Sequence, residues 1–183
     1  MNDPAGVDPE ATFRTPRLRL EALRAEHAAV LFDGLSAPRN YHYLPTDPPR
    51  DAAALAARYR LLEARRSPDG TEHWLNWAVI PDEGFPVGVV QATVREDGTA
   101  LLAYELAPQA QGRGYATESC TEVVERLFAD YGVSEVLAEV DTRNVPSIAL
   151  LERLGFERVA FRPHADYFKG AASDEYTYRR LAR

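Results

Sequence analysis

The spacing of apolar positions along this chain changes several times, and each change marks an element. Residues 17–23 alternate Leu18, Leu20 and Ala22 against polar neighbours, the two-residue repeat of a half-buried strand. Helical patches follow at 25–36 and 50–66, separated by the aromatic stretch Asn40-Tyr41-His42-Tyr43-Leu44-Pro45, which reads as a structured loop. Ser67-Pro68-Asp69-Gly70 is a turn. Three strands are predicted at 73–80, 86–95 and 99–107, joined by the hairpin-like Asp82-Glu83-Gly84 and Glu96-Asp97-Gly98. The clearest helix comes next. Ala116, Cys120, Val123, Val124, Leu127, Phe128 and Tyr131 recur at three- and four-residue steps on one face, and Gly132 ends it. A strand at 135–140, a short helix at 145–154 and strands near 155–162 and 175–182 complete the order. Residues 1–14 read as a loose tail before a single domain, 15–183. A meander of strands followed by strand–helix alternation implies an α/β fold, with a mixed sheet of six to seven strands flanked by four helices.

Composition narrows the chemistry. At 183 residues, 45% apolar and 10% aromatic, the chain suits one well-packed domain rather than disorder. It has no 18-residue apolar stretch, and its first fifteen residues lack a signal-peptide layout, so a soluble cytoplasmic protein is expected. The single cysteine, Cys120, lies on the apolar helix face, which disfavours a nucleophilic role. The four histidines (27, 42, 73 and 164) show no metal-ligand spacing, so no metal site is expected. A net charge of −7 disfavours nucleic acid and anionic membranes as partners and tilts toward cationic ones such as amines.

The candidate chemistry sits where a strand meets the long helix, at Pro108-Gln109-Ala110-Gln111-Gly112-Arg113-Gly114-Tyr115-Ala116-Thr117-Glu118. A helix start offers backbone N–H groups without internal partners, and glycines let an anion approach them closely. A phosphate or pyrophosphate held by main chain is the expected ligand. No Lys follows either glycine, which excludes a P-loop, and Thr117 stands where a dinucleotide fingerprint needs glycine. The pattern that fits is Q-x-x-G-x-G, at Gln109, Gly112 and Gly114. It resembles the acetyl-CoA pyrophosphate loop of the GNAT superfamily of N-acetyltransferases. Asn144-Val145-Pro146-Ser147, leading into a short helix that ends in Leu154-Gly155-Phe156, resembles the second signature of that superfamily. Thr15-Pro16-Arg17-Leu18-Arg19-Leu20, Gln111 to Glu118, and Asp174-Glu175-Tyr176-Thr177-Tyr178 resemble the branch that acetylates ribosomal-protein N-termini. The resemblance spans residues 15 to 181.

It implies a GNAT fold and an acetyl-CoA-dependent transfer to a primary amine by direct attack in a ternary complex. The acceptor would be a protein N-terminal α-amine or a small-molecule amine. The cosubstrate contacts carried over are Gln111, Gly112, Arg113, Gly114, Tyr115, Ala116 and Thr117, the strand backbone at Leu106 and Ala107, and Asn144. Glu105, on the strand entering the loop, is the candidate base. Many members carry a tyrosine acid where this chain has Leu151, so Ser147 or a water must stand in. The 40–45 loop and the strand bearing His73, Trp74 and Trp77 should line the acceptor pocket, with Tyr43 and His73 as contacts. A monomer or homodimer is expected. Two other readings are a non-catalytic acyl-CoA-binding module of the same fold and an unrelated nucleotide-binding regulatory domain.

Overall fold

The computed structural model describes residues 8–82 and 84–182. Its elements are strands β1 (Phe13–Arg14), β2 (Leu18–Ala22), β3 (Glu72–Pro81), β4 (Gly88–Arg95), β5 (Thr99–Leu106), β6 (Glu135–Asp141), β7 (Glu157–Phe168) and β8 (Ala171–Leu181), with helices α1 (Ala28–Leu35), α2 (Ala52–Leu62), α3 (Tyr115–Asp130) and α4 (Val145–Arg153). All eight strands form one sheet in the order β1-β2-β3-β4-β5-β6-β8-β7. Every pairing is antiparallel except β5 with β6. The fold is the single α/β domain with a mixed sheet and four helices that the pattern implied, with one strand more.

Alternation sorts the side chains to two faces. Ala78, Ile80, Val89 and Ala107 pack with Leu31 and Leu35 of α1 and Leu55 and Tyr59 of α2. On the other face Trp77, Val79, Val90, Leu102 and Val136 pack with Cys120, Val123 and Leu127 of α3 and Leu150 and Leu151 of α4. Among the described residues, no helix is long and apolar enough to cross a membrane.

The extra strand lies in the stretch expected as a tail. Phe13 pairs with Leu20 and is buried, its ring 5.5 Å from Trp77. Trp77 Nε1 donates to Ala11 O (3.1 Å), and the Tyr131 hydroxyl donates to Asp8 O (2.8 Å). Residues 8–14 are therefore part of the domain, while 1–7 lie outside the described residues. One aromatic among polar neighbours makes no period, so the anchor left no pattern to read. The 82–84 turn includes Glu83, also outside the described residues. α2 stops at Leu62 rather than 66, and Arg65 takes a left-handed φ of 57° before Arg66 bridges to His73. β7 and β8 run further than expected because β7 is an exposed edge strand: with neither face covered, its sequence has nothing to alternate for.

One irregularity positions the site. β5 pairs with β6 only at Thr99↔Glu135, Ala100↔Val136 and Leu101↔Leu137. Beyond that β5 stays with β4 up to Gly88↔Leu106, while β6 follows β8 to Asp141↔Glu175. Sheet twist then draws the two apart and opens a gap beside residues 102–106.

Candidate active site

At the mouth of this gap the chain turns from β5 into α3. Gly112 and Gly114 hold φ of 74° and 80°, the left-handed region that suits glycine. The first amide of the α3 ladder is that of Glu118, donating to Gly114 O (3.0 Å). The N–H groups of Gly112, Arg113, Gly114, Tyr115, Ala116 and Thr117 have no partner among the described residues. A Cβ at Gly112 would meet no atom within 4 Å, so the loop is open to solvent at that residue. Gln111 is not part of it. Its N–H donates to Pro108 O (3.3 Å), and its side chain donates to Leu106 O (2.9 Å) and Asn40 Oδ1 (3.3 Å), so it braces the loop from behind.

A second brace comes from the start of the chain. Arg17 Nε donates to Glu118 Oε2 (2.7 Å), Arg17 Nη1 donates to Arg113 O (3.1 Å), and the guanidinium lies 5.2 Å from the Tyr115 ring centroid. Thr15 Oγ1 donates to Glu118 Oε1 (2.6 Å). Burial pushes the Glu118 carboxyl up, but the Thr15 and Arg17 hydrogen bonds and the Arg17 charge outweigh it and hold it below its ordinary value.

Along the gap, the Ala107 N–H donates to Val87 O (2.8 Å). Residues 103, 105 and 107 therefore bond to the β4 side, and 102, 104 and 106 turn their backbone groups toward the gap. Of the two backbone contacts expected, Ala107 is committed internally, since its carbonyl also accepts from Ala110 N (2.9 Å). Leu106 O is taken by Gln111 and by Asn40 Nδ2 (3.2 Å), which leaves the Leu106 N–H toward the gap.

Across the gap, Asn144 caps α4, its Oδ1 accepting from Ser147 N (3.3 Å). Its loop is pinned by Asp141, which accepts from Arg143 Nε (2.9 Å) and Ser173 Oγ (2.6 Å). Hydrogen bonds from Arg143 and Ser173 hold the Asp141 carboxyl down at about 2, against the opposing effect of burial. Ser147 Oγ lies 2.6 Å from the Tyr104 hydroxyl on β5, a contact that joins the two walls of the gap. Burial pushes the Tyr104 phenol well above its ordinary range. Leu151 is buried in the core among α3 residues.

Glu105 points to the α1–α2 face. Asn40 Nδ2 donates to Glu105 Oε1 (3.3 Å), and the Tyr41 hydroxyl bonds the same carboxylate. Burial raises the Glu105 carboxyl against the opposing pull of Asn40, Arg58 and Tyr41. Tyr41 is pushed up to about 12 by burial and by the charge of Glu105. Tyr43 lies two residues on, its ring 6.0 Å from the Arg143 guanidinium, which is also 6.0 Å from Phe168. Lys169, at the β7–β8 turn, donates to the carbonyls of Tyr41 and Leu44 (2.7 Å for the latter), tying the 41–46 loop to the hairpin.

His73 is not with them. It pairs with Val94, whereas Glu105 lies beside Val89 and, through it, Ala78. Five residues of β3 separate the two rows, about 17 Å along the strand. His73 Nε2 sits 3.4 Å from Arg66 instead. Sequence pattern identified the strand but not which of its ends faces the site. It placed the 40–45 loop at the acceptor pocket without singling out Asn40 or Tyr41, and passed over Tyr104 and Arg17. Alternation beside Glu105 and the aromatic 40–45 stretch were the available signals for three of these.

Comparison with known proteins agrees with this architecture. The profile of the Acetyltransferase (GNAT) domain matches residues 17–157. The uncharacterized N-acetyltransferase p20 of Bacillus licheniformis is 24% identical over 172 residues, covering 94% of this chain and 97% of that protein. A probable acetyltransferase of the GNAT family from Chromobacterium violaceum superposes with a TM-score of 0.82 at 23% identity, covering 97% of this chain and 89% of that one. The spermidine N-acetyltransferase of Vibrio cholerae, solved with CoA and spermine, superposes with a TM-score of 0.78 at 18% identity over 91% of this chain and 96% of that one. With its donor row at the start of α3, its parted strands and this family match over most of its length, the chain belongs to the GNAT family of N-acetyltransferases.

Proposed function

We propose that the protein moves an acetyl group from acetyl-CoA to a cationic primary amine by direct attack within a ternary complex. The observation that carries this reading is the continuity of the row of unpaired amides at 112–117 with the gap between β5 and β6, which has Glu105 and Ser147 on its flanks. The row suits a pyrophosphate, since it combines free N–H donors with the positive end of the α3 dipole. The open edge of β5 suits a narrow amide-bearing arm, with the Leu106 N–H and the Asn144 side-chain amide as its partners. When bound, acetyl-CoA supplies an activated thioester.

The protein's own groups then divide the work. Glu105 takes the proton of the attacking amine, and burial makes its carboxylate a better base than an exposed glutamate. An α-amine near pKa 7.8 is neutral roughly 10–15% of the time at pH 7, whereas a lysine side chain is neutral roughly once in 2,500. A carboxylate base is thus better matched to an α-amine, or to an amine of similarly low pKa. Ser147 offers a hydroxyl to the departing sulfur. A thiol pKa of roughly 8.5 makes that thiolate a tolerable leaving group, so this contribution is modest.

The side we assign to the acceptor carries several carboxylates. By register, Glu139 and Glu175 project from the same face of the sheet as Glu105. Burial, and then the charge of Glu139, raises the Glu175 carboxyl against the opposing pull of Arg162, which donates to Glu175 Oε1 (2.5 Å). A cation relieves such crowding, and the net charge of −7 acts in the same direction. Tyr43, Arg143 and Phe168 would wall this side. The spermine held by the Vibrio cholerae neighbour is a polycation of this kind, and the Thr15–Leu20 wording of the ribosomal branch favours a peptide N-terminus. Both are amines that an acidic surface attracts.

The test is an acetyl-CoA consumption screen across peptide N-termini and small polyamines, with CoA binding measured by calorimetry. CoA binding together with turnover of a cationic amine is the expected result. CoA binding without turnover of any amine would favour the non-catalytic acyl-CoA module. Thermal protection by ATP or NAD, and not by CoA, would return the chain to the nucleotide-binding reading.

A further inference from the structure

Tyr104 and Ser147 come from opposite walls of the gap, one from β5 and the other from the first turn of α4, the helix that follows β6. Their 2.6 Å separation is a short O–H···O hydrogen bond. A first-turn serine commonly turns its hydroxyl back to its own helix. Ser147 does not: among the described residues, its Oγ has no partner other than Tyr104. The phenol has one proton and two acceptors in reach, Ser147 Oγ at 2.6 Å and Ser147 O at the longer 3.4 Å. Burial keeps it protonated at any working pH.

We infer that Tyr104 is a positioning residue: its hydroxyl donates to Ser147 Oγ and thereby turns the Ser147 O–H outward, toward the gap. The inference rests on the acetyl-transfer reading. An oxygen that accepts from Tyr104 cannot donate back along the same line, so its own proton points elsewhere. The phenol that many family members place on α4 is thus supplied here from β5, through a serine, while Leu151 fills the core.

Tyr104 acts by aim rather than as a proton source. A buried phenol holds its proton far more tightly than a thiol with pKa of roughly 8.5, so full transfer to sulfur is uphill. In the step, the amine nitrogen bonds to the acetyl carbon and gives its proton to Glu105. The C–S bond breaks with its electron pair going to sulfur. The sulfur is stabilised by the Ser147 O–H and takes a proton from water on release.

The test is a double-mutant cycle of Tyr104→Phe and Ser147→Ala, assayed with an amine the wild type turns over. Each single variant should lose about 10-fold in kcat, with the amine KM and the acetyl-CoA Kd within twofold of wild type. The double variant should be no slower than either single one, because Tyr104 works only through Ser147. Unchanged kcat in either single variant, multiplicative losses in the double, or a parallel fall in acetyl-CoA affinity would overturn the assignment. Should Tyr104→Phe not fold, site-specific 3-fluorotyrosine at 104 keeps the shape and strengthens the donor. It should change kcat by twofold or more only while Ser147 is present, and an unchanged kcat overturns the inference. A wild type that turns over no amine would refute the proposed activity instead, which separates the two failures.

Discussion

The two halves of the site are built by different means. The α3 end is made of contiguous backbone: six successive N–H groups, two left-handed glycines and a helix start, with arginines 17, 113 and 153 nearby. The proposed acceptor end is made of side chains from distant segments: Asn40 and Tyr41, Glu105, Arg143 and Lys169 come near one another only in the folded molecule. The first half is basic and exposed. The second sets the Glu105 carboxylate among Asn40 and Tyr41, with Arg143 and Lys169 further out, and is partly buried. A backbone site tolerates change in most side chains but little change in φ, whereas a side-chain site fails when one group is altered.

The largest expected effect falls on the acceptor half. Glu105→Gln should lower kcat by roughly 10²–10⁴-fold while leaving acetyl-CoA affinity unchanged, because general bases contribute about that much. A loss below tenfold in steady-state assays would move the base elsewhere. The raised Glu105 carboxyl also sets a direction. Below its pKa the base is protonated and idle, so the acidic limb of the kcat/KM profile should lie at higher pH than an ordinary glutamate would place it.

Gly114→Asp tests the backbone half. An added Cβ would sit 3.2 Å from Arg17 Nη2, at a φ of 80° that L-residues avoid, and the carboxylate would occupy the anion's place. CoA binding by calorimetry should fall by about 100-fold or more, near 3 kcal/mol. If binding is unaltered, the pyrophosphate does not lie on this loop. Gly112→Ala, open on its outer side but equally left-handed, should cost about 1 kcal/mol of stability.

Asp141 joins the halves by pinning the loop before α4, and its effect should appear in stability. Its carboxyl is depressed to about 2 from an ordinary 3.8. The stabilisation is therefore complete above pH 3.8 and disappears as pH falls toward 2, a change of about 2 kcal/mol. Denaturant melts across that window should show the loss in wild type, and a flatter profile in Asp141→Asn. The smallest effect is expected from Lys169→Ala, which frees the 41–46 loop. The amine KM should rise roughly 5-fold, about 1 kcal/mol, with CoA binding unmoved. A shift in CoA affinity instead would show that the two halves are coupled.

Local pattern carried much of this protein. Periodicity located α3 and the six strands β2 to β6 and β8 because each buries side chains, and burial imposes a repeat. The donor loop was legible because Gly112, Gly114 and the start of α3 are neighbours in the chain, and left-handed φ is a property of the residue itself. Asn144 and Ser147 were legible for the same reason, as the capped first turn of a short helix. Tertiary structure decided the rest. Only strand register and long-range hydrogen bonds show that His73 lies five residues along β3 from the row beside Glu105, that the Ala107 backbone is already committed, and that Phe13 and Asp8 belong to the domain. Only the folded molecule brings Tyr104 of β5 against Ser147 of α4, 43 residues away in sequence. Such contacts leave no local repeat, because hydrogen bonding and side-chain packing act through space and the chain records only order.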